Sequence, residues 1–194
     1  RADRARQLTQ AFVFPEFRNF ERNKIPGLEF ISMVSYGIEY PIESAFSAQF
    51  ITMPLAKVIS DADKKQFHIA ETEKSAHVSY FFNGGMEKEF PGEDRVIIPS
   101  QQVKSYDLRP EMSAHEITER VIAELKKSKY DFLLINLANG DLVGHTGKFD
   151  AGIKAVEVLD ECAGNLMKAV LELDGTLIIT GDHGNVEEMI NLET

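Results

Sequence analysis

Two short stretches carry residue types that do chemistry together. Asp141 and His145 lie four apart in "GDLVGHTG", and Asp182 and His183 are adjacent in "GDHGN". A carboxylate beside a neutral imidazole is a donor pair suited to a borderline-hard divalent cation such as Mn²⁺ or Zn²⁺. Each stretch follows an apolar run, "YDFLLINLA" before the first and "GTLIIT" before the second. Each therefore opens where a buried strand should end. On a helix Asp141 and His145 would share a face, but Gly140, Gly144 and Gly147 predict a tightly wound loop instead. Gly181 and Gly184 would likewise let Asp182 and His183 reach one point. Either pattern alone is weak, since capping and hydrogen-bonding loops produce both. Two of them at equivalent places favour a metal centre. Each motif offers two protein ligands where catalytic sites usually take three or more. The spacing thus predicts a two-metal centre, of the kind used for phosphoryl chemistry, with its remaining ligands elsewhere.

Other reactive side chains are less specific. His68, His77 and His115 read as surface or satisfied core histidines. "RADRAR" is the densest basic cluster, with Arg1 and Arg4 on one helical face and Arg6 off it. That face is either a solvated helix or a guanidinium pair for a carboxylate or phosphate. Lys74, in "AETEKSAH", follows a strand and points to the same edge as the Asp–His motifs; alone it reads as a surface lysine. Cys162, the single cysteine, cannot form an internal disulfide and reads as a buried structural thiol.

The elements that must position these residues follow from periodicity. Leu8, Ala11, Phe12 and Phe14 mark a helix over residues 5–20 that closes around Pro15, and "LEFISMVSY" alternates as a strand. Pro41 and Pro54 bracket a hinge near residues 45–53. Beyond it the chain alternates: helix "PLAKVISDADK", strand "QFHIAE", a helix or turn running into a strand in "TEKSAHVSYFF", and a loop with a short extended piece up to "VIIPS". "SAHEITERVIAELKKSK" is a helix with Ser113 and Glu116 as a capping box, and Lys126, Lys127 and Lys129 at its negative end. Strand "YDFLLINLA", the long helix from Phe149 and strand "GTLIITGD" complete an α/β pattern with a largely parallel sheet covered on both faces. Ligands of such sheets bind beyond the carboxyl ends of the strands, where both Asp–His motifs fall. In 194 residues, 31 acidic against 21 basic side chains give a net charge of -10, which disfavours nucleic acid and anionic membranes as partners. No signal peptide and no bilayer-length apolar run is apparent, so the chain reads as cytoplasmic. Arg1 and the unterminated "EEMINLET" read as interior positions of a longer protein.

Taken together, "RADRARQLTQAF", "AETEKSAHVSYFFNGG", "LANGDLVGHTG" and "TGDHGNVEEM" resemble, in order and along essentially the whole chain, the cofactor-independent phosphoglycerate mutase family of the alkaline-phosphatase-like superfamily. The resemblance implies an alkaline-phosphatase-like α/β domain over residues 48–194, preceded by the end of an inserted α/β substrate-binding domain over residues 1–47. It implies two Mn²⁺ ions, or other divalent metals, and no 2,3-bisphosphoglycerate. Asp141 and His145 match ligands of one ion, Asp182 and His183 ligands of the other. Arg1, Arg4 and Lys74 match substrate-binding positions. The activity implied is interconversion of 3-phosphoglycerate and 2-phosphoglycerate through a phosphoserine, in a protein that is monomeric when full length. The family's serine, an aspartate ligand and a third histidine ligand have no counterpart in this sequence, so the chain alone is expected to be inactive. Gly140 and Leu142 depart from the family's usual Pro and Met, at positions that are not ligands. Three other readings stay open: a different metal-dependent phosphatase or phosphopentomutase of the superfamily, a non-catalytic metal-binding domain, and Asp–His loops that are purely structural, with no metal dependence.

Overall fold

The computed structural model describes residues 2–36, 42–47 and 51–191. The chain forms two compact units, residues 1–50 and 51–194. In the first, helix α1 (Ala2–Val13) buries Thr9 and Ala11, and Thr9 Oγ1 donates back to Ala5 O at 2.8 Å. It is shorter than the apolar spacing predicts, because Pro15 has no N–H to continue the ladder. Among the described residues, the expected "LEFISMVSY" strand is reduced to Ile31–Ser32 (β1), in parallel with Glu43–Ser44 (β2). Alternation alone cannot hold a strand without a partner of equal length.

The second unit is built on a parallel sheet in the order β4-β3-β5, with β3 (Gln66–Glu71) central, β4 (Glu93–Ile98) on one side and β5 (Phe132–Ile135) on the other. Gln66 stands opposite both Glu93 and Phe132, so the strands start in step; β3 and β4 end together at Glu71 and Ile98, while β5 ends opposite Ile69. All six β3 residues are buried. Phe67 and Ile69 pack with Ile98, with Ile117 and Val121 of α3 (Ala114–Leu125), and with Leu166 of α5 (Phe149–Leu171). The alternate residues face the other way. Gln66 Nε2 donates to Ala56 O of α2 (Leu55–Asp61) at 2.8 Å, and His68 Nδ1 meets Val78 O at 2.8 Å. A period of two thus sorts one strand onto two covered faces, the α/β arrangement expected. Among the described residues no helix is long and apolar enough to cross a membrane.

Three local expectations need correction. Ser113 does precede α3 but makes no side-chain cap; its hydroxyl donates to Pro99 O at 3.1 Å, and its N–H goes to Glu71 Oε2 at 3.2 Å. A buried carboxylate took the backbone donor first. "HVSYFF" forms a π-helical turn (His77–Phe81), with no strand. "GTLIITGD" is not a buried strand: among the described residues, 176–181 pair with no other strand, and Ile178 is 83% and Ile179 71% exposed. An apolar β-branched run supplies propensity, yet a parallel strand exists only where a neighbour accepts its hydrogen bonds.

Buried Glu93 of β4, beside His68 of β3, should make the unit acid-sensitive. Burial alone would raise the Glu93 carboxyl, but hydrogen bonds from His68, the Phe90 N–H, Asn83 and Arg95 outweigh it and hold it at about 2. A carboxyl depressed below its unfolded value stabilises the fold above that unfolded value, here near 4.5, and the contribution drains away as pH falls towards 2. The melting temperature should therefore drop steeply across that window, and Glu93→Gln should flatten the drop. An equally steep acid limb in the variant would assign the sensitivity to other carboxylates.

Candidate metal centre

Both Asp–His motifs lie in the second unit, at the carboxyl end of its sheet. Beyond β3 the chain turns through a short 3₁₀ helix (Thr72–Lys74) that carries Lys74 into a buried position. Beyond β5, Asn136 N–H still bonds Ile69 O at 3.0 Å before a short helix, α4 (Asn139–Gly144), begins. The first motif is therefore helical and not a loop. Asp141 sits in its first turn and His145 at its C-cap, one turn apart on the same face. Gly147, at φ +69°, ends the turn in a conformation that a residue with a Cβ seldom adopts.

Asp141 is the hub. Its side chain is only 10% exposed, and its Oδ2 is paired with the ammonium of Lys74, itself 2% exposed. His145 Nε2 lies 3.0 Å from Asp141 Oδ1, and His183 Nε2 lies 3.8 Å from the same oxygen. Asp182 joins the group at its edge: its Oδ2 is 3.7 Å from His183 Nε2 and 3.7 Å from His77 Nε2. The four motif residues are gathered in one place with Lys74, across more than forty residues of sequence. Burial acts to raise the Asp141 carboxyl, but the Lys74 ammonium, the Asn185 amide and the charge of His145 overcome it and hold it at about 2. The carboxylate is anionic at any physiological pH.

Two members of this cluster escape a reading of residue types. His77 is three residues beyond Lys74, a spacing that in any helical turn returns a side chain to the same side. Asn185 Nδ2 donates to both the backbone oxygen (2.9 Å) and Oδ1 (2.8 Å) of Asp141. Its place directly after "GDHG" was the available signal. Of the arginines, Arg4 is exposed on α1 of the first unit, and Arg1 lies outside the described residues. His68 is a satisfied core histidine, and His115 Nδ1 lies 3.8 Å from the buried Cys162 Sγ.

The donor set fits divalent cations in kind: carboxylate oxygens, one of them buried and ionised, and imidazole nitrogens. Among the described residues no three or more His, Cys, Asp or Glu side chains are grouped so as to hold an ion. Asp141 meets its imidazole partners directly and has Lys74 on its other oxygen, so a cation entering here would have to displace these contacts.

Comparison with known proteins points the same way. The model of the metalloenzyme superfamily matches residues 44–194. The chain is 48% identical over 194 residues to the 2,3-bisphosphoglycerate-independent phosphoglycerate mutase of Vibrio cholerae O395, covering all of this chain and 38% of that protein. It is 49% identical over 189 residues to the enzyme of the same name from Ectopseudomonas mendocina, covering 97% of this chain and 37% of the relative. Among solved structures, Leishmania mexicana phosphoglycerate mutase at low cobalt concentration superposes with a TM-score of 0.73 at 33% identity, over 93% of this chain and 33% of that one. The chain thus spans little more than a third of the length of the relatives it matches.

Proposed function

This chain belongs to the metalloenzyme superfamily, and on that premise we propose that it forms part of a cofactor-independent phosphoglycerate mutase that interconverts 3-phosphoglycerate and 2-phosphoglycerate. The observation that carries the reading is the gathering of both Asp–His pairs and buried Lys74 around one ionised carboxylate at the sheet's carboxyl end. On this reading Asp141 and His145 would hold one divalent cation, Asp182 and His183 a second, with Mn²⁺ the expected metal. When bound, such ions lower the pKa of a hydroxyl nucleophile and draw charge from phosphoryl oxygens.

The chain's own residues have distinct tasks. Asp141, held anionic, offers a ligand that needs no deprotonation. Lys74 places a positive charge from the protein side against the phosphoryl group as charge builds on its oxygens. Arg1 and Arg4 are proposed, from the resemblance, to bind the phosphoglycerate by paired guanidinium contacts. The phosphoryl group leaves O3 of 3-phosphoglycerate for a serine hydroxyl, which loses its proton while O3 gains one. The 2-hydroxyl of the retained glycerate then takes the phosphoryl group back, losing its proton as the departing serine oxygen regains one. That serine, and the ligands that complete each metal shell, are proposed to lie in the part of the relatives' length that this chain does not span.

A direct test uses the full-length protein, stripped of metal and then resupplied with Mn²⁺. Conversion of 3- to 2-phosphoglycerate should vanish on stripping and return on addition, with no requirement for 2,3-bisphosphoglycerate. The chain of 194 residues alone should show none. Metal-dependent release of free phosphate from a generic ester, without isomerisation, would instead make the protein a phosphatase.

A further inference from the structure

Asn185 and Gly144 form a fitted pair that ties one Asp–His motif to the other. The Asn185 amide donates twice to Asp141, once to its backbone oxygen and once to Oδ1. To reach it the side chain must cross α4 where a residue with any side chain would stand. A Cβ on Gly144 would lie 2.5 Å from Asn185 Oδ1 and 2.8 Å from its Cγ, well inside contact distance. The same segment is seated on two more glycines. A Cβ on Gly140 would come 3.3 Å from Val186 Cγ1, and one on Gly152 of α5 would come 2.6 Å from Met189 Sδ and 3.2 Å from Val186 Cγ2. Glycine weakens a helix relative to alanine. Three of them on α4 and α5, all facing residues 185–189, are therefore a surface shaped for that segment.

We infer that Asn185 is a positioning residue for Asp141, locked in place by the absence of a side chain at Gly144, so that the loop carrying Asp182 and His183 and the helix carrying Asp141 and His145 assemble as one unit. The chemistry is that of an outer partner of a metal ligand. A carboxylate whose one oxygen is fixed by an amide N–H presents its remaining lone pairs in a single direction, and such partners typically contribute about 10- to 100-fold in metal affinity. The inference rests on the two-cation reading of this site, and it adds that neither cation site is independent of the other.

The experiment is a double-mutant cycle in the full-length protein, with two readouts. Without metal, Gly144→Ala should lower the melting temperature, although alanine is the better helix former. Combining it with Asn185→Ala should remove the clash, leaving the double variant no less stable than Asn185→Ala alone. In Mn²⁺ titration calorimetry, Gly144→Ala, Asn185→Ala and the double variant should all bind about 10- to 100-fold more weakly than wild type, and to a similar extent, because each breaks the same contact. Stability effects that simply add would overturn the lock. Variants that bind Mn²⁺ as wild type does would overturn the positioning role while leaving the metal reading intact. A full-length wild type that binds no Mn²⁺ would remove both.

Discussion

Asp141→Ala should be the most damaging single substitution in this chain, and damaging in two separable ways. The first is stability. Lys74 and Asp141 are 2% and 10% exposed and paired with each other. Removing one partner of a buried pair leaves an uncompensated charge, at a cost of about 3–5 kcal/mol. Denaturant unfolding of the second unit should show that loss. Changing both partners, as Asp141→Ala with Lys74→Met, should recover most of it, because two apolar groups need no pairing. The second is function: on the proposed two-cation reading, the same substitution in the full-length protein removes a proposed ligand together with the hub that His145, His183 and Asn185 address, and Mn²⁺-dependent conversion of 3-phosphoglycerate should fall below detection. Asp182→Ala makes the contrast. Its side chain is half exposed, so stability should change by no more than about 0.5 kcal/mol, while metal content and activity still fall. A variant Asp141→Ala that unfolds within about 1 kcal/mol of wild type would mean that the buried pair is solvated and the hub is not where the unit's electrostatics are concentrated.

The contrast between these aspartates shows what a linear sequence reveals and what it conceals. Strand–helix alternation was readable from residue types because burial on two faces leaves a near-continuous apolar run, as in "YDFLLINLA", or β-prone alternation between two faces, as in "QFHIAE". The meeting of Asp141 with His183 was expected from the same grammar, in which parallel strands of one sheet deliver their following turns to one edge. Among the described residues, however, no strand of the sheet leads into Asp182; the second motif is brought there by Asn185 and Val186 seated on α4. The form of the first motif did not follow. Three glycines argued for a loop, yet Gly140 and Gly144 lie inside a helical turn, where their lack of a Cβ admits Val186 and Asn185. Glycine records that something approaches closely, and only the neighbour's position tells whether that something is backbone strain or packing. Lys74 shows the same limit. A lysine after a strand is a surface residue by composition, and it became buried because a carboxylate sixty-seven residues later stands opposite it. The apolar run at Ile178 and Ile179 fails in the opposite sense: its propensity is real, but pairing is a property of two strands and a sequence window contains one.

On the proposed mutase reading, Lys74→Met should separate substrate charge from metal binding more cleanly than substitution of any proposed ligand. The ammonium occupies Asp141 Oδ2, the oxygen a cation would also seek, and it is first among the groups that pull the Asp141 carboxyl down to about 2. Taking it away leaves Asp141 still fixed by Asn185 through Oδ1 and close to His145. Two consequences oppose each other. Metal affinity in the full-length protein should hold or rise, since an internal cation no longer competes for the carboxylate. Turnover should fall by about 10²- to 10³-fold, the usual loss when a preorganised charge aimed at the transferring group is deleted, or about 2.7–4 kcal/mol. The loss should appear mainly in kcat, because the charge matters most when the phosphoryl oxygens carry most charge in the transition state. Methionine keeps the length and most of the volume of the lysine stem, so the packing around residue 74 stays filled, while the unpaired Asp141 carboxylate costs stability as loss of either partner does. If instead Mn²⁺ affinity drops in parallel with kcat, Lys74 is a brace that holds Asp141 in position, and the charge on the phosphoryl group must come from elsewhere.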